Sequence, residues 1–263
     1  MNAASPRPVT REQIAANLTE LGLTPGDTVM VHTSLAAVGW VVGGAQTVLE
    51  ALRDAVGDEG TIVMPTQSWQ LCDPAVLQQM PERWWPVIRE SLPLYDPAVT
   101  PSQTMGAVAE LFRTQPGSMR SSHPQRSVAA AGPNAPRVVA QHPLEAPTGE
   151  DSPLGALYAF EARVLLLGVT AAKATMLHLA EHRASFAGKR TMANGVAMFV
   201  DGRRQWVEFD ELDVQDDDFE AVAAAFAEET GLMRTGTVGQ ATAHLLPARE
   251  LVDYAAEWFS ANR

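Results

Sequence analysis

Residues 162–169 read ARVLLLGV, and this stretch decides the fold. A strand with one face in water alternates apolar and polar residues. Here Val164 to Leu167 are apolar at every position, so both faces of the strand are covered. The expected architecture is α/β: a three-layer α/β/α arrangement with a central mixed sheet and helices on both of its faces. Working outward, Thr28–Val31 and Thr61–Met64 read as further short buried strands, and Ser127–Ala131 as another. Between them lie helical patterns. Thr10 followed by Gln13 is a capping-box signature, Ile14, Leu18 and Leu21 form a stripe, and Gly22 is the stop. Residues 45–56 place Val48, Leu49, Leu52 and Val56 on one side and end at Gly57. Gly106–Phe112 continues as a helix.

The late part of the chain changes pattern. Val196–Val200 and Gln205–Phe209 alternate around Asp201-Gly202, which is a hairpin signal and supplies a late antiparallel element. Helices are expected at about 217–229 and over Glu250–Phe259. Residues 66–104 are rich in proline and aromatics, including Trp69, Trp84, Trp85 and Tyr95. This irregular insertion reads equally as a substrate-covering loop or as a surface excursion packed by its own tryptophans. The whole is expected to be a single domain over 1–263, with an acidic, acceptor-side segment at about 201–220.

Composition narrows the function. The 263 residues carry a formal net charge of −12, the opposite of a nucleic-acid binder's footprint and unsuited to anionic membranes. The opening residues MNAASPRPVTREQ lack a leader's apolar run, and no stretch reaches the roughly 20 apolar residues of a membrane span. A single cysteine, Cys72, permits no internal disulfide. A cytoplasmic protein, monomeric or homodimeric, is expected. Neither phosphate-loop fingerprint occurs, and no G-x-S-x-G elbow is present.

Four segments can carry chemistry. His178-Leu-Ala-Glu181-His182 places i, i+3 and i+4 on one helical face. It reads three ways: a zinc pair of His178 and His182 with Glu181 as base and Glu250 as a candidate third ligand, a general base at His178, or structural histidines. In VMVHTSL, His32, Thr33 and Ser34 fall at a strand's C-terminal end, where α/β sheets bind ligands; an ordinary N-cap is the alternative. Arg120-Ser121-Ser122-His123-Pro124 combines a cation with small donors suited to a phosphate, or a solvated arginine. The tract EFDELDVQDDDFE (208–220) holds eight carboxylates and reads as a solvated face or a cation-binding rim.

Taken together, VMVHTSLAAVGWVVGGAQTVLEALRDAVGDEGTIVMPT, TPSQTMGAVAELFRTQPGSMRSSHPQRSVAAAGPNA, SPLGALYAFEARVLLLGV, LHLAEHRA and VGQATAHLLPARELVDY resemble the aminoglycoside 3-N-acetyltransferase family. The match keeps order and spacing over roughly residues 10–258. The resemblance implies an architecture distinct from the GCN5-related acetyltransferases, acetyl-CoA as donor and no metal. It places the catalytic base on His178, with Glu181 following. It places cofactor binding on His32, Thr33, Ser34, Leu35 and Val41, on Met105 with Gly106, and on Arg120, Ser121 and His123. The implied acceptor is a small cationic amine, aminoglycoside-like and acetylated at its 3-amino position, or else a non-aminoglycoside amine. Many members carry an acidic residue after the second strand. Here Gln70 stands there, with Asp73 slightly later, so both are candidate acceptor contacts, joined by Asp210, Glu211 and Asp213 of the acidic tract. Direct transfer is expected: His178 takes the amine's proton, a carboxylate (Glu181 or one from 208–213) orients the imidazole, and backbone N–H groups near Ser34–Leu35 hold the oxyanion. Cys72 has no part in it.

Overall fold

The computed structural model describes residues 7–263; the leaderless reading of the first thirteen residues therefore lies partly outside the described residues. The chain runs through α1 (Arg11–Leu21), β1 (Thr28–Thr33), α2 (Leu35–Val38), α3 (Ala45–Val56) and β2 (Thr61–Pro65). The 66–104 segment holds two short helices, α4 (Pro74–Leu77) and α5 (Trp85–Ser91). There follow α6 (Ala107–Arg113), β3 (Met119–Arg120), β4 (Val128–Ala131), α7 (Ala135–Val138), α8 (Pro153–Ala159), β5 (Arg163–Leu167) and α9 (Leu177–Arg183). The late part comprises β6 (Thr191–Val200), β7 (Arg203–Leu212), α10 (Phe219–Thr230), β8 (Arg234–Val238), β9 (Ala241–Pro247) and α11 (Ala248–Asn262).

Among the described residues the main sheet has seven strands in the order β3-β4-β2-β1-β5-β9-β8. The inner trio β2-β1-β5 is parallel, and antiparallel strands extend it on both sides. β5 lies between β1 and β9, so the ARVLLLGV strand is interior. Its side chains divide as an all-apolar strand requires. Leu165 and Leu167 enter one core cluster with Ile14, Leu18, Leu49, Leu52 and Phe112 from α1, α3 and α6. Val164 and Leu166 enter the other, with Leu154, Leu177, Phe226 and Phe259 from α8, α9, α10 and α11. Burying each such leucine contributes roughly 1.5–3 kcal/mol, which favours the register that splits the run between two helical layers. Gly168 ends the strand with φ 68°, and a Cβ there would sit 2.5 Å from the Ala37 Cβ. Only glycine lets α2 cross so close to the strand end.

Local signals hold where they were specific. Thr10 caps α1 by accepting from the Gln13 N–H at 3.3 Å, and Gly22 closes it in a left-handed conformation. β6 and β7 form a separate two-stranded ribbon around Asp201 and Gly202, both with positive φ. The ribbon is longer than the sequence pattern suggests, ten residues per strand. Among the described residues, no helix is long and apolar enough to cross a membrane.

Because β1, β2 and β5 are parallel, their C-terminal ends share one edge. The chain leaves β1 through α3 to β2 on one side, while β5 flanks β1 on the other. That reversal opens a crevice beyond the strand ends, where α/β sheets accept ligands.

Candidate active site

A cavity of about 340 Å³ occupies this crevice. His32 and Thr33 from the end of β1, Pro65 from the end of β2 and Val169 just past β5 form its floor. His178 projects into it from α9, and Phe219 from the start of α10 packs against the imidazole with ring centroids 4.9 Å apart. Gln67 and Trp69 close one side, so the 66–104 segment does cover the cavity in part. A second groove, of about 690 Å³, is lined by Thr33, Ser34, Leu35, Ala36, Trp40, Val41, Gly44, Met105 and Gly106. Thr33, Thr104 and Met105 line both spaces.

The histidine is held by a buried carboxylate. His178 Nδ1 lies 2.6 Å from Glu181 Oε2, one helical turn on, and Glu181 is only 1% exposed. Its other oxygen, Oε1, accepts from the Gln215 N–H at 2.8 Å and from Arg263 Nη1 at 2.6 Å. When Nδ1–H is donated to the carboxylate, Nε2 is left as an acceptor. The carboxylate in contact with the ring is Glu181, rather than one from 208–213.

Two further polar atoms sit at the floor. His32 Nε2 and Thr33 Oγ1 are buried and have no hydrogen-bond partner among the described residues. Burial, with the nearby His178 and Lys173, pushes His32 down to about 3, so it stays neutral and does not titrate in the working range. The expected oxyanion donors near Ser34–Leu35 need correction in part. The Ser34 N–H is engaged by the Leu167 carbonyl at 2.9 Å.

Other expected site residues lie elsewhere, for clear physical reasons. Arg120 does not present a phosphate fork. Its guanidinium donates to the carbonyls of Thr66 and Thr100 and to the hydroxyls of Thr66, Ser68 and Ser127, pinning the 66–104 segment to the sheet. Ser121 Oγ binds His142 Nδ1 at 2.8 Å, and His123 is buried against His142 with centroids 4.9 Å apart. None of the three lines either space. Gln70 donates to the Pro101 carbonyl, and Asp73 caps α4 while pairing with Arg89; neither reaches the cavity. The acidic tract is dispersed, at its start by strand alternation on β7. Asp210 points to solvent, Asp213 pairs with Arg190, and Glu211 is buried between Arg126 and Asn194. Glu211 thus supports the cavity wall, because Arg126 lines the cavity and stacks over Trp69.

The zinc reading does not assemble. His182 Nε2 is bonded to Thr148 Oγ1 at 3.0 Å, Glu250 is exposed at the start of α11, and Glu181 is committed to Arg263. Among the described residues no group of three His, Cys, Asp or Glu side chains is arranged to hold a metal ion. Cys72 is buried and its thiol is pushed up to about 12, first by burial. A protonated thiol is no nucleophile. Replacing Cys72 with Ala is expected to leave turnover within about twofold, and mass spectrometry after acetyl-CoA addition should find the wild-type cysteine unmodified. An acetyl adduct that forms and decays at the turnover rate would overturn this.

Several cavity residues were not anticipated individually: Lys173, Thr175, Arg126, Asp216 and Phe219. Asp216 lies within the acidic tract, and only its position at the rim separates it from its seven neighbours.

A histidine held by a buried carboxylate lies in a crevice that opens into a second groove. A family model described as aminoglycoside 3-N-acetyltransferase matches residues 30–260. The SPbeta prophage-derived aminoglycoside N(3')-acetyltransferase-like protein YokD of Bacillus subtilis is 44% identical over 258 residues, covering 97% of this chain and 94% of that protein. The YokD crystal structure superposes with a TM-score of 0.94, over 98% of this chain and 96% of that one. AAC-IIIb, solved as a binary complex with CoASH, is similar at 32% identity and a TM-score of 0.87, over 97% of each chain. AAC-VIa bound to sisomicin is similar at 32% identity and 0.85, over 98% and 99%. The chain belongs to the aminoglycoside 3-N-acetyltransferase family, whose members are acetyl-CoA-dependent acyltransferases.

Proposed function

We propose that this enzyme moves the acetyl group of acetyl-CoA directly to the 3-amino group of an aminoglycoside, with His178 as general base. The observation that carries the reading is the His178–Glu181 contact inside the crevice. Acetyl-CoA fits the second groove, whose lining of Ser34, Ala36, Gly44 and Gly106 lets a slender chain approach the backbone closely. The thioester then lies at Thr33 and Met105, where groove and cavity meet, and the unpartnered Thr33 hydroxyl is a side-chain donor available to a developing oxyanion.

The protons balance simply. An ammonium acceptor loses one proton to solvent and binds as the neutral amine. Its nitrogen attacks the thioester carbonyl carbon, and the second proton passes to His178 Nε2. The tetrahedral intermediate collapses with breakage of the carbon–sulfur bond, and the thiolate of CoA receives the proton from the imidazolium. Glu181 stabilises the imidazolium in between.

A thiol-release assay across aminoglycosides and simpler amines tests the reading. Turnover with aminoglycosides supports it, and turnover confined to other amines contradicts it. The acceptor side has its own expected signature. Asp216 is the carboxylate at the cavity rim, and a surface ion pair of this kind is worth roughly 0.2–1 kcal/mol. Asp216→Asn should therefore raise acceptor KM about 1.4- to fivefold and leave acetyl-CoA KM unchanged. Added salt should act in the same direction, since the Debye length is roughly 8 Å at physiological ionic strength. The solvent-facing Asp210→Asn should do nothing.

A further inference from the structure

Glu181 is the meeting point of three elements. On one side it holds His178; on the other, Arg263 at the end of α11 donates to it while gripping the 215–218 loop. Arg263 Nη1 reaches Glu181 Oε1 at 2.6 Å, Nη2 and Nε take both oxygens of Asp218 at 2.6 and 2.8 Å, and Nη2 also meets the Gln215 carbonyl at 3.1 Å. The Gln215 N–H returns to Glu181 Oε1. The guanidinium is 12% exposed and lies over the Phe259 ring at 3.9 Å. A planar fork with several donors can satisfy two carboxylates and a carbonyl at once; an ammonium cannot.

The clamped loop carries Asp216 and leads into Phe219, both of which line the cavity. We propose that Arg263 is a positioning residue that couples the orientation of the catalytic base to the placement of the acceptor loop. It balances the charge of Glu181 from behind and fixes Gln215 and Asp218 so that Asp216 stands at the rim. This inference rests on the reading of His178 as base. The groove for acetyl-CoA is built from α2, the 39–44 turn and the 104–107 segment and does not touch Arg263, so donor binding should not depend on it.

The charged and titratable groups that face the pair are His32 on β1, Lys173 before α9, His182 on α9, Lys189 beyond it, Asp216 and Asp218 on the loop, and Arg263 itself. Removing the Arg263 charge leaves the Glu181 carboxylate compensated only by the Gln215 N–H, the Lys189 charge and the imidazole, so more of its attraction falls on the imidazole. The imidazolium is favoured, so the His178 ring of the variant should hold its proton to higher pH than that of the wild type.

The test is an NMR titration of the His178 ring in wild type, Arg263→Gln, Arg263→Lys and Asp218→Asn, with KM for each substrate measured alongside. Arg263→Gln should shift the His178 midpoint upward and raise acceptor KM about three- to tenfold while sparing acetyl-CoA KM. Arg263→Lys should keep the wild-type midpoint, because charge is retained, and still raise acceptor KM, because the fork is lost. Asp218→Asn loosens the loop with the Arg263–Glu181 pair intact, and should raise acceptor KM while moving the midpoint less than Arg263→Gln does. A purely structural Arg263 would lower Tm and leave the midpoint and the ratio of the two KM values unchanged in the folded protein; that result overturns the proposal. The ring titration needs no turnover. A shifted midpoint in a protein that acetylates no amine would reject the assigned reaction and keep the coupling.

Discussion

His178→Ala is expected to lower kcat about 10²–10⁴-fold, the usual cost of losing a general base, while the protein stays folded and binds CoA normally. The side chain is mostly buried but lines the cavity and belongs to neither core cluster, so its removal enlarges that space rather than opening a void in the core. Glu181 keeps its bonds from Arg263 and Gln215 and is not left as an unpaired buried charge. The groove assigned to CoA is lined without His178. Calorimetric CoA binding and thermal unfolding should therefore be near wild type when turnover has collapsed. His182→Ala provides the contrast: its ring bonds Thr148 outside the cavity, and its loss should cost less than about tenfold. A folded His178→Ala enzyme with near-normal turnover would remove the base from the mechanism.

Glu181→Gln should be as damaging to rate and far worse for stability. The amide carries no charge to stabilise the imidazolium and no longer fixes the Nδ1–H tautomer, so kcat is expected to fall about 10²–10⁴-fold. Unlike His178, Glu181 is buried and receives Arg263 and a backbone N–H. Arg263 keeps Asp218 as a partner, so the loss is that of hydrogen bonds to a buried charge, roughly 1.5–3 kcal/mol. Urea unfolding should show a lowered midpoint with an unchanged slope, and the rate loss should persist in the folded fraction. Equal stability with full activity would show that the carboxylate neither orients the base nor anchors the loop.

Elements marked by residues close together in sequence were legible. α1 follows from Thr10, its leucine stripe and Gly22; α3 from its four apolar positions; β5 from its unbroken run. The His178–Glu181 pair was legible because a helix fixes the i, i+3 distance. β8 was not: RTGTV is polar and mostly exposed at the sheet edge, and it becomes a strand only by pairing with β9. The site's outer partners were equally hidden. Arg263 stands 82 positions from Glu181, and no local pattern links them. Arg120 was misread because a cation among serines suggests an anion site, while its actual acceptors are carbonyls and hydroxyls brought over by the 66–104 segment. Strand alternation explains only the start of the tract at 208–220: Asp210 and Glu211 are adjacent on β7, yet one faces water and the other the interior, while 213–218 lie in the loop beyond it.

The most direct test of direct N-acetylation uses acetyl-CoA labelled with carbon-13 at the carbonyl and sisomicin as acceptor, with the product read by two-dimensional NMR. The account predicts one labelled amide carbonyl, coupled to the proton on the 3-amino nitrogen, formed in equal amount to free CoA thiol. Labelled acetate in place of the amide, or an amide at a different nitrogen, would contradict it.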